Sequence, residues 1–91
     1  MELESSVEVV NKHGLHARAS TRLAQVAQQF ECAVFVGRDG DGDEVDAKSI
    51  LGILTLGIEK GQMLKLRTSG DDAKDAMNAL VTLIEDKFGE E

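Results

Sequence analysis

The sequence predicts an α+β domain in two layers, a sheet of half-buried strands with amphipathic helices on one face. Three observations lead there. Residues 3–10 and 63–68 alternate in polarity, residues 17–30 and 73–88 carry apolar stripes at helical spacing, and turn chemistry separates the segments into the order βαββαβα. At 91 residues the chain is expected to form one domain, residues 1–91. That length supports one modest core without covalent staples.

Each element follows from local pattern. Leu3, Ser5, Val7 and Val9 alternate with Glu4, Ser6 and Glu8, as in a strand with one buried face. Asn11-Lys12-His13-Gly14 breaks that strand. From Ala17 to Phe30 the apolar positions Ala19, Leu23, Val26, Ala27 and Phe30 share one helical face. Cys32–Val36 reads as a strand, Gly37–Asp43 as a turn, and Glu44-Val45-Asp46 as an arm that pairs back. Lys48–Leu56 predicts a brief helix with Ser49 as its N-cap and Gly57 at its end. Met63–Thr68 alternates again, with Leu64, Leu66 and Thr68 facing one way and Met63, Lys65 and Arg67 the other. The last helix starts from Ser69-Gly70-Asp71-Asp72, whose carboxylates suit its positive end. It buries Ala73, Ala76, Met77, Leu80, Leu83, Ile84 and Phe88, with Lys87 in its last turn.

Charge narrows the function classes. The formal net charge is −7, which disfavours nucleic acid as a partner, and a chain with three Phe and neither Trp nor Tyr lacks a base-stacking platform. No apolar run is long enough to span a bilayer, and the acidic start is unlike a secretory signal. One cysteine, Cys32, has no internal disulfide partner, and together these features suggest a cytoplasmic protein. Against this background Asn11–Arg22 stands apart. It holds both histidines, His13 and His16, with Lys12, Arg18 and Arg22, and no carboxylate lies between Val9 and Phe30. A basic island on an acidic protein suits a small anionic group or an acidic partner surface.

His16 is the strongest candidate for chemistry. It lies at or near the N-cap of the first helix, where the N–H groups of Ala17 and Arg18 have no intrahelical acceptor. A phosphoryl group on the imidazole would accept those N–H bonds and sit in the favourable end of the helix dipole. The same field disfavours imidazolium, so the ring is expected to stay a neutral nucleophile near neutral pH. Arg18 supplies a planar fork matched to phosphate oxygens. Gly14 permits close backbone approach or a positive φ. The residues alone leave a second reading open, in which His16 is a polar loop residue and Arg18 solvates a helix start.

Other motifs carry less. His13 and His16 form H-x-x-H, but a zinc centre needs about three or four ligands and no carboxylate lies nearby in sequence, so no metal or other cofactor is expected. His13 reads as an exposed turn residue. Asp39-x-Asp41-x-Asp43 resembles the opening of a calcium loop, yet Glu44 follows it and Ile50 stands where the bidentate Glu belongs. Ser49, besides capping, is a candidate for regulatory phosphorylation, since a helix N-terminus would hold the added phosphate. The helix after it is too apolar to bury every side chain, so some of Ile50, Leu51 and Leu54 are expected at the surface as a docking patch, with core burial as the alternative. Cys32 reads as a small buried apolar side chain.

Three stretches together resemble the HPr family, the histidine-containing phosphocarriers of the bacterial phosphoenolpyruvate-dependent sugar phosphotransferase system. They are G-L-H-A-R at Gly14–Arg18, K-S-I-L-G-I-L-T-L-G at Lys48–Gly57, and the closing amphipathic helix. The resemblance runs from about Glu2 to Phe88. It implies an open-faced β-sandwich, a four-stranded antiparallel sheet with three helices on one face. It implies that His16 takes a phosphoryl group on Nδ1 from phosphorylated enzyme I and passes it to a histidine of an enzyme IIA domain. Arg18 would orient the phosphate, with the Ala17 and Arg18 amides binding it. Ser49 matches the regulatory serine that HPr kinase/phosphorylase modifies in bacteria that have that enzyme. Thr21, Ile50, Leu51 and Leu54 would form the partner-docking face. On this reading the chain is a monomeric carrier of phosphohistidine rather than a stand-alone enzyme. The family motif usually continues with Pro after the arginine, where this chain has Ala19, a good helix former, so the helix start is expected to survive with slightly less rigidity. The Gly37–Asp43 turn also looks longer than usual for the family. The nitrogen-system paralogue and a purely non-catalytic interaction module are the alternatives; the Ser49 helix favours the sugar-system form. The catabolite-repression paralogue lacks the active-site histidine, so His16 argues against it.

Overall fold

The computed structural model describes residues 1–90. Strand β1 (Glu2–Glu8) leads through a loop to helix α1 (Ala17–Ala27), then β2 (Ala33–Arg38), the short β3 (Val45–Asp46), helix α2 (Ile50–Thr55), β4 (Met63–Ser69) and helix α3 (Ala73–Glu85). A 3₁₀ turn, Lys87–Gly89, follows. The strands form one antiparallel sheet in the order β1-β4-β2-β3. β4 lies inside the sheet, pairing Glu2–Glu8 on one side and Ala33–Arg38 on the other.

Period-two alternation decides which face is covered. Leu64, Leu66 and Thr68 of β4 are fully buried together with Val34 and Val36 of β2, and Val7 of β1 is nearly so. Ala19, Leu23, Ala24 and Ala27 of α1, Ile53 of α2, and Ala76, Met77, Leu80 and Ile84 of α3 close over them. Thr68 is the one hydroxyl on that sheet face at full burial, and its Oγ1 donates to the Ala73 carbonyl at 2.9 Å. The opposite face stays open and charged. Arg67 lies 4.2 Å above the Phe35 ring, with its guanidinium forked onto Glu44 at 2.9 and 3.1 Å and reaching Glu2 at 3.3 Å.

The structure departs from the sequence expectations at element ends. Helix α1 stops at Ala27 rather than Phe30, because Gln29 and Phe30 donate to carbonyls three residues back and tighten the turn. Ser20 and Ala24 are buried besides the predicted stripe, since α1 packs against both α2 and α3. The Ser20 hydroxyl is satisfied by the Leu15 carbonyl at 3.1 Å. Leu83 is only half-buried. Lys87 does not lie in the last turn of α3. The helix ends at Glu85, and Lys87 and Phe88 both take φ of 57°. Left-handed backbone costs about 1–2 kcal/mol per non-glycine residue. Full burial of the Phe88 side chain offsets it with about 3 kcal/mol.

Asp72 stands at the N-cap of α3 but makes no capping bond. Its carboxylate instead accepts the Glu31 and Cys32 amides at 2.9 Å each, lashing the approach to β2 onto the start of α3. These bonds, first the Glu31 amide and then the Cys32 side chain, hold the Asp72 carboxyl below the usual carboxylate range. Burial pushes the Cys32 thiol up to about 11, helped by the Asp72 carboxylate, so the thiol stays protonated and unreactive near neutral pH. The Arg67 fork likewise lowers the Glu44 carboxyl against the opposing effect of burial. Carboxyls depressed in the native state stabilise it above their unfolded values and lose that contribution as pH falls through the native ones. Urea unfolding is therefore expected to show stability falling between about pH 5 and pH 2. In Asp72→Asn the fall should be shallower; an identical pH profile would mean that the Asp72 lashing contributes nothing.

Candidate functional site

The loop between β1 and α1 is held by a close backbone approach and by buried hydrogen bonds. Gly14 has φ of 62°, and a Cβ there would lie 2.5 Å from the Ile58 carbonyl oxygen. That same oxygen accepts the Leu15 amide at 3.0 Å, so the loop is pressed onto the segment after α2. Asn11, fully buried, donates from Nδ2 to the Gly14 carbonyl at 2.8 Å. The residue read from sequence as a strand breaker thus staples the turn from inside.

This loop delivers His16 to the N-cap of α1 with extended backbone, φ −74° and ψ −175°. Its carbonyl accepts the Ser20 amide at 2.8 Å, the first helical bond. Its Nδ1 accepts the Arg18 amide at 3.2 Å, the part usually played by a Ser or Asp oxygen. An imidazole nitrogen accepts only when unprotonated. The other ring nitrogen, Nε2, lies 2.8 Å from Oε2 of Glu90. A carboxylate is an acceptor, so Nε2 carries the proton. Both contacts select one tautomer, with Nε2–H bonded to Glu90 and the Nδ1 lone pair facing the helix start.

Glu90 comes from the far end of the chain. Its Oε1 accepts from Asn11 Nδ2 at 3.2 Å, so one buried amide ties both the loop and the carboxylate. Burial raises the Glu90 carboxyl, but hydrogen bonds from Asn11 and His16, with the charge of Arg18, outweigh it and hold the group below the usual carboxylate range. The side chain of His16 keeps 30% of its surface exposed, whereas that of Glu90 keeps 12%. The ring is therefore reachable while its partner is shielded. Around them lies an open depression of about 450 Å³ lined by Lys12, His13, His16, Arg18 and Glu90. The exposed His13 ring stands edge-on to His16, with centroids 5.7 Å apart.

The sequence expectation that the Ala17 and Arg18 amides both point free needs one correction. The Arg18 N–H is held by the imidazole itself, because the N-cap side chain folds back onto its own helix. Ala17 opens the helix and has no intrahelical acceptor for its N–H. Arg18 is exposed at the rim.

Ser49 caps α2 as expected, its Oγ accepting the Gly52 amide at 3.1 Å. Behind it Leu51 is 75% exposed, and Ile50 and Leu54 are 36% and 37% exposed, while Ile53 fills the core. Thr21 lies on α1, which packs against α2, and its hydroxyl turns back to the Ala17 carbonyl at 2.8 Å. Sequence reasoning missed Glu90 and the buried role of Asn11. An Asn after a strand is read as a turn residue, and no local pattern links the acidic end of the chain to a histidine 74 residues earlier.

Comparison with known proteins identifies the family. The family model described as the PTS HPr component phosphorylation site matches residues 3–86. The phosphocarrier protein HPr of Neisseria meningitidis is 44% identical over 88 residues, 97% of each chain. That of Pseudomonas aeruginosa is 43% identical over 84 residues, 92% of each chain. The crystal structure of HPr-C-His from Thermoanaerobacter tengcongensis superposes with a TM-score of 0.90 at 46% identity, covering 98% of each chain. The chain belongs to the HPr family. Among the described residues, no helix is long and apolar enough to cross a membrane.

The Asn11 staple gives a direct test of the site's rigidity. Asn11→Ala leaves the Gly14 carbonyl without its buried donor and is expected to cost about 2 kcal/mol in urea unfolding. Amide exchange in the 12–16 loop should quicken in parallel. A change below about 0.5 kcal/mol would mean that the loop is held by other contacts.

Proposed function

We propose that this member of the HPr family carries phosphoryl groups in the phosphoenolpyruvate-dependent sugar phosphotransferase system, with Nδ1 of His16 as the acceptor atom. One observation carries the assignment to that atom. Nε2 is committed as a donor to Glu90, so the one in-plane lone pair of the ring is on Nδ1, at the start of an 11-residue helix. The first turn of that helix contains no acidic residue.

The transfer needs little from the carrier beyond placement. The Nδ1 lone pair attacks phosphorus, the Nδ1–P bond forms, and the donor's bond to phosphorus breaks. The Arg18 amide, which bonds the lone pair beforehand, becomes available to a phosphoryl oxygen, and the Ala17 amide is available beside it. The Arg18 guanidinium supplies a fork for the remaining oxygens. Partners of this carrier are proteins of the same system, and we assign phosphorylated enzyme I as donor and a histidine of enzyme IIA as acceptor. The exposed face of Ile50, Leu51 and Leu54, with Thr21 on the neighbouring helix, is our candidate docking surface for both. A monomer in the cytoplasm suits a carrier that shows one face to successive partners. Ser49 offers a regulatory position, because a phosphate there would sit at the start of α2 beside the apolar patch and oppose docking.

Incubation with phosphoenolpyruvate and enzyme I is expected to add one phosphoryl mass, labile in acid and stable in base. His16→Ala should lose the adduct and His13→Ala should keep it; the reverse pattern would refute the assignment of His16. Ser49→Asp is expected to weaken enzyme I binding about tenfold by placing a negative charge beside the patch. Binding and phosphorylation rates equal to wild type would exclude regulation through that helix.

A further inference from the structure

The end of the chain is shaped to bring one carboxylate to one atom. After α3 the backbone turns left-handed at three successive residues, Lys87 and Phe88 at φ 57° and Gly89 at φ 74°. Phe88 is fully buried and anchors the turn in the core. Arg22 Nη1 donates to the Phe88 carbonyl at 2.9 Å, and the same nitrogen lies 2.8 Å from where a Cβ on residue 89 would be, so a side chain there would displace it. Beyond this clamp Glu90 has one oxygen on Asn11 and the other on Nε2 of His16. Asn11 in turn holds the loop that carries His16. Strained backbone persists only where its surroundings over-determine it, and here a core anchor, an arginine clamp and a buried amide do so.

We propose that Glu90 is a positioning residue for phosphoryl transfer, fixing His16 as the Nε2–H tautomer and neutralising the ring charge that phosphorylation creates. The inference rests on the carrier reading of His16. When Nδ1 attacks, its lone pair becomes the Nδ1–P bond, and the electron pair of the broken bond leaves on the donor. The Nε2 proton stays in place, so the neutral ring becomes a phosphorylated imidazolium. A carboxylate 2.8 Å from that proton stabilises the positive ring as it forms. On release the same contact returns a neutral ring of the same tautomer, ready for the next cycle. Without the carboxylate the proton distributes between both nitrogens, and the fraction with a free Nδ1 falls. Glu90 touches neither phosphorus nor partner in this scheme; it acts through the ring.

The test is Glu90→Gln in the full chain, followed by heteronuclear NMR of the ring nitrogens and by quenched-flow phosphorylation from enzyme I. The wild-type ring should show a single tautomer protonated at Nε2, and the variant a mixture. The variant should lose about tenfold in kcat for phosphoryl uptake, with KM for the carrier little changed, because the docking face is elsewhere. A single Nε2–H tautomer together with a wild-type kcat in the variant would overturn the role of Glu90. A loss confined to KM would overturn it too, by placing Glu90 in docking. Failure of the wild-type protein to take up phosphate, with its tautomer locked as described, would overturn the carrier reading instead.

Discussion

The whole site depends on a hydrogen bond from a backbone amide to an imidazole lone pair. Helices begin with N–H groups that lack acceptors, and proteins usually satisfy one with a small side-chain oxygen at the N-cap. Here the acceptor is Nδ1 of His16, and the donor is the amide of Arg18. An oxygen in that place would cap the helix and do nothing more. A ring nitrogen caps the helix with the same electron pair that a nucleophile uses. Capping and reactivity then share one geometry, and whatever positions the cap positions the chemistry.

Most of the remaining fold serves that placement. The sheet supplies the face over which the helices close, with one buried aliphatic cluster between the two layers. Gly14 allows the loop to press against the Ile58 carbonyl, where a Cβ would intrude. Asn11 gives up solvent to bond the Gly14 carbonyl and the Glu90 carboxylate, leaving its own Oδ1 buried without a partner among the described residues. An unpaired buried acceptor costs stability, of order 1–3 kcal/mol. That acceptor belongs to the residue that holds both the His16 loop and the Glu90 carboxylate.

The fold was largely legible in the sequence because strands and helices here obey simple periods. Leu64, Leu66 and Thr68 alternate into the core as their spacing requires, and Ala73, Ala76, Met77, Leu80 and Ile84 line one side of α3. His16 and Ser49 were legible as N-caps because capping is a local event, set by residues within one turn. Glu90 was not, because its meaning depends on a contact across the whole chain and on a left-handed turn at Lys87 and Phe88 that no propensity favours. Asp72 was legible as an acidic residue at the start of α3, but not its partners. It occupies a capping position, but its carboxylate finds better donors on the approach to β2, a segment 40 residues away. Local rules name the candidates, and tertiary contacts decide which of them act locally.

The central claim is that one nitrogen of one ring receives the phosphoryl group. It is tested most directly by NMR of the phosphorylated protein with labelled histidine nitrogens, reading which of them couples to phosphorus. Coupling to Nδ1 of His16 alone is expected, with the Nε2 proton retained and the Arg18 amide shifted by its new oxygen acceptor. Coupling to Nε2, or to either nitrogen of His13, would contradict it.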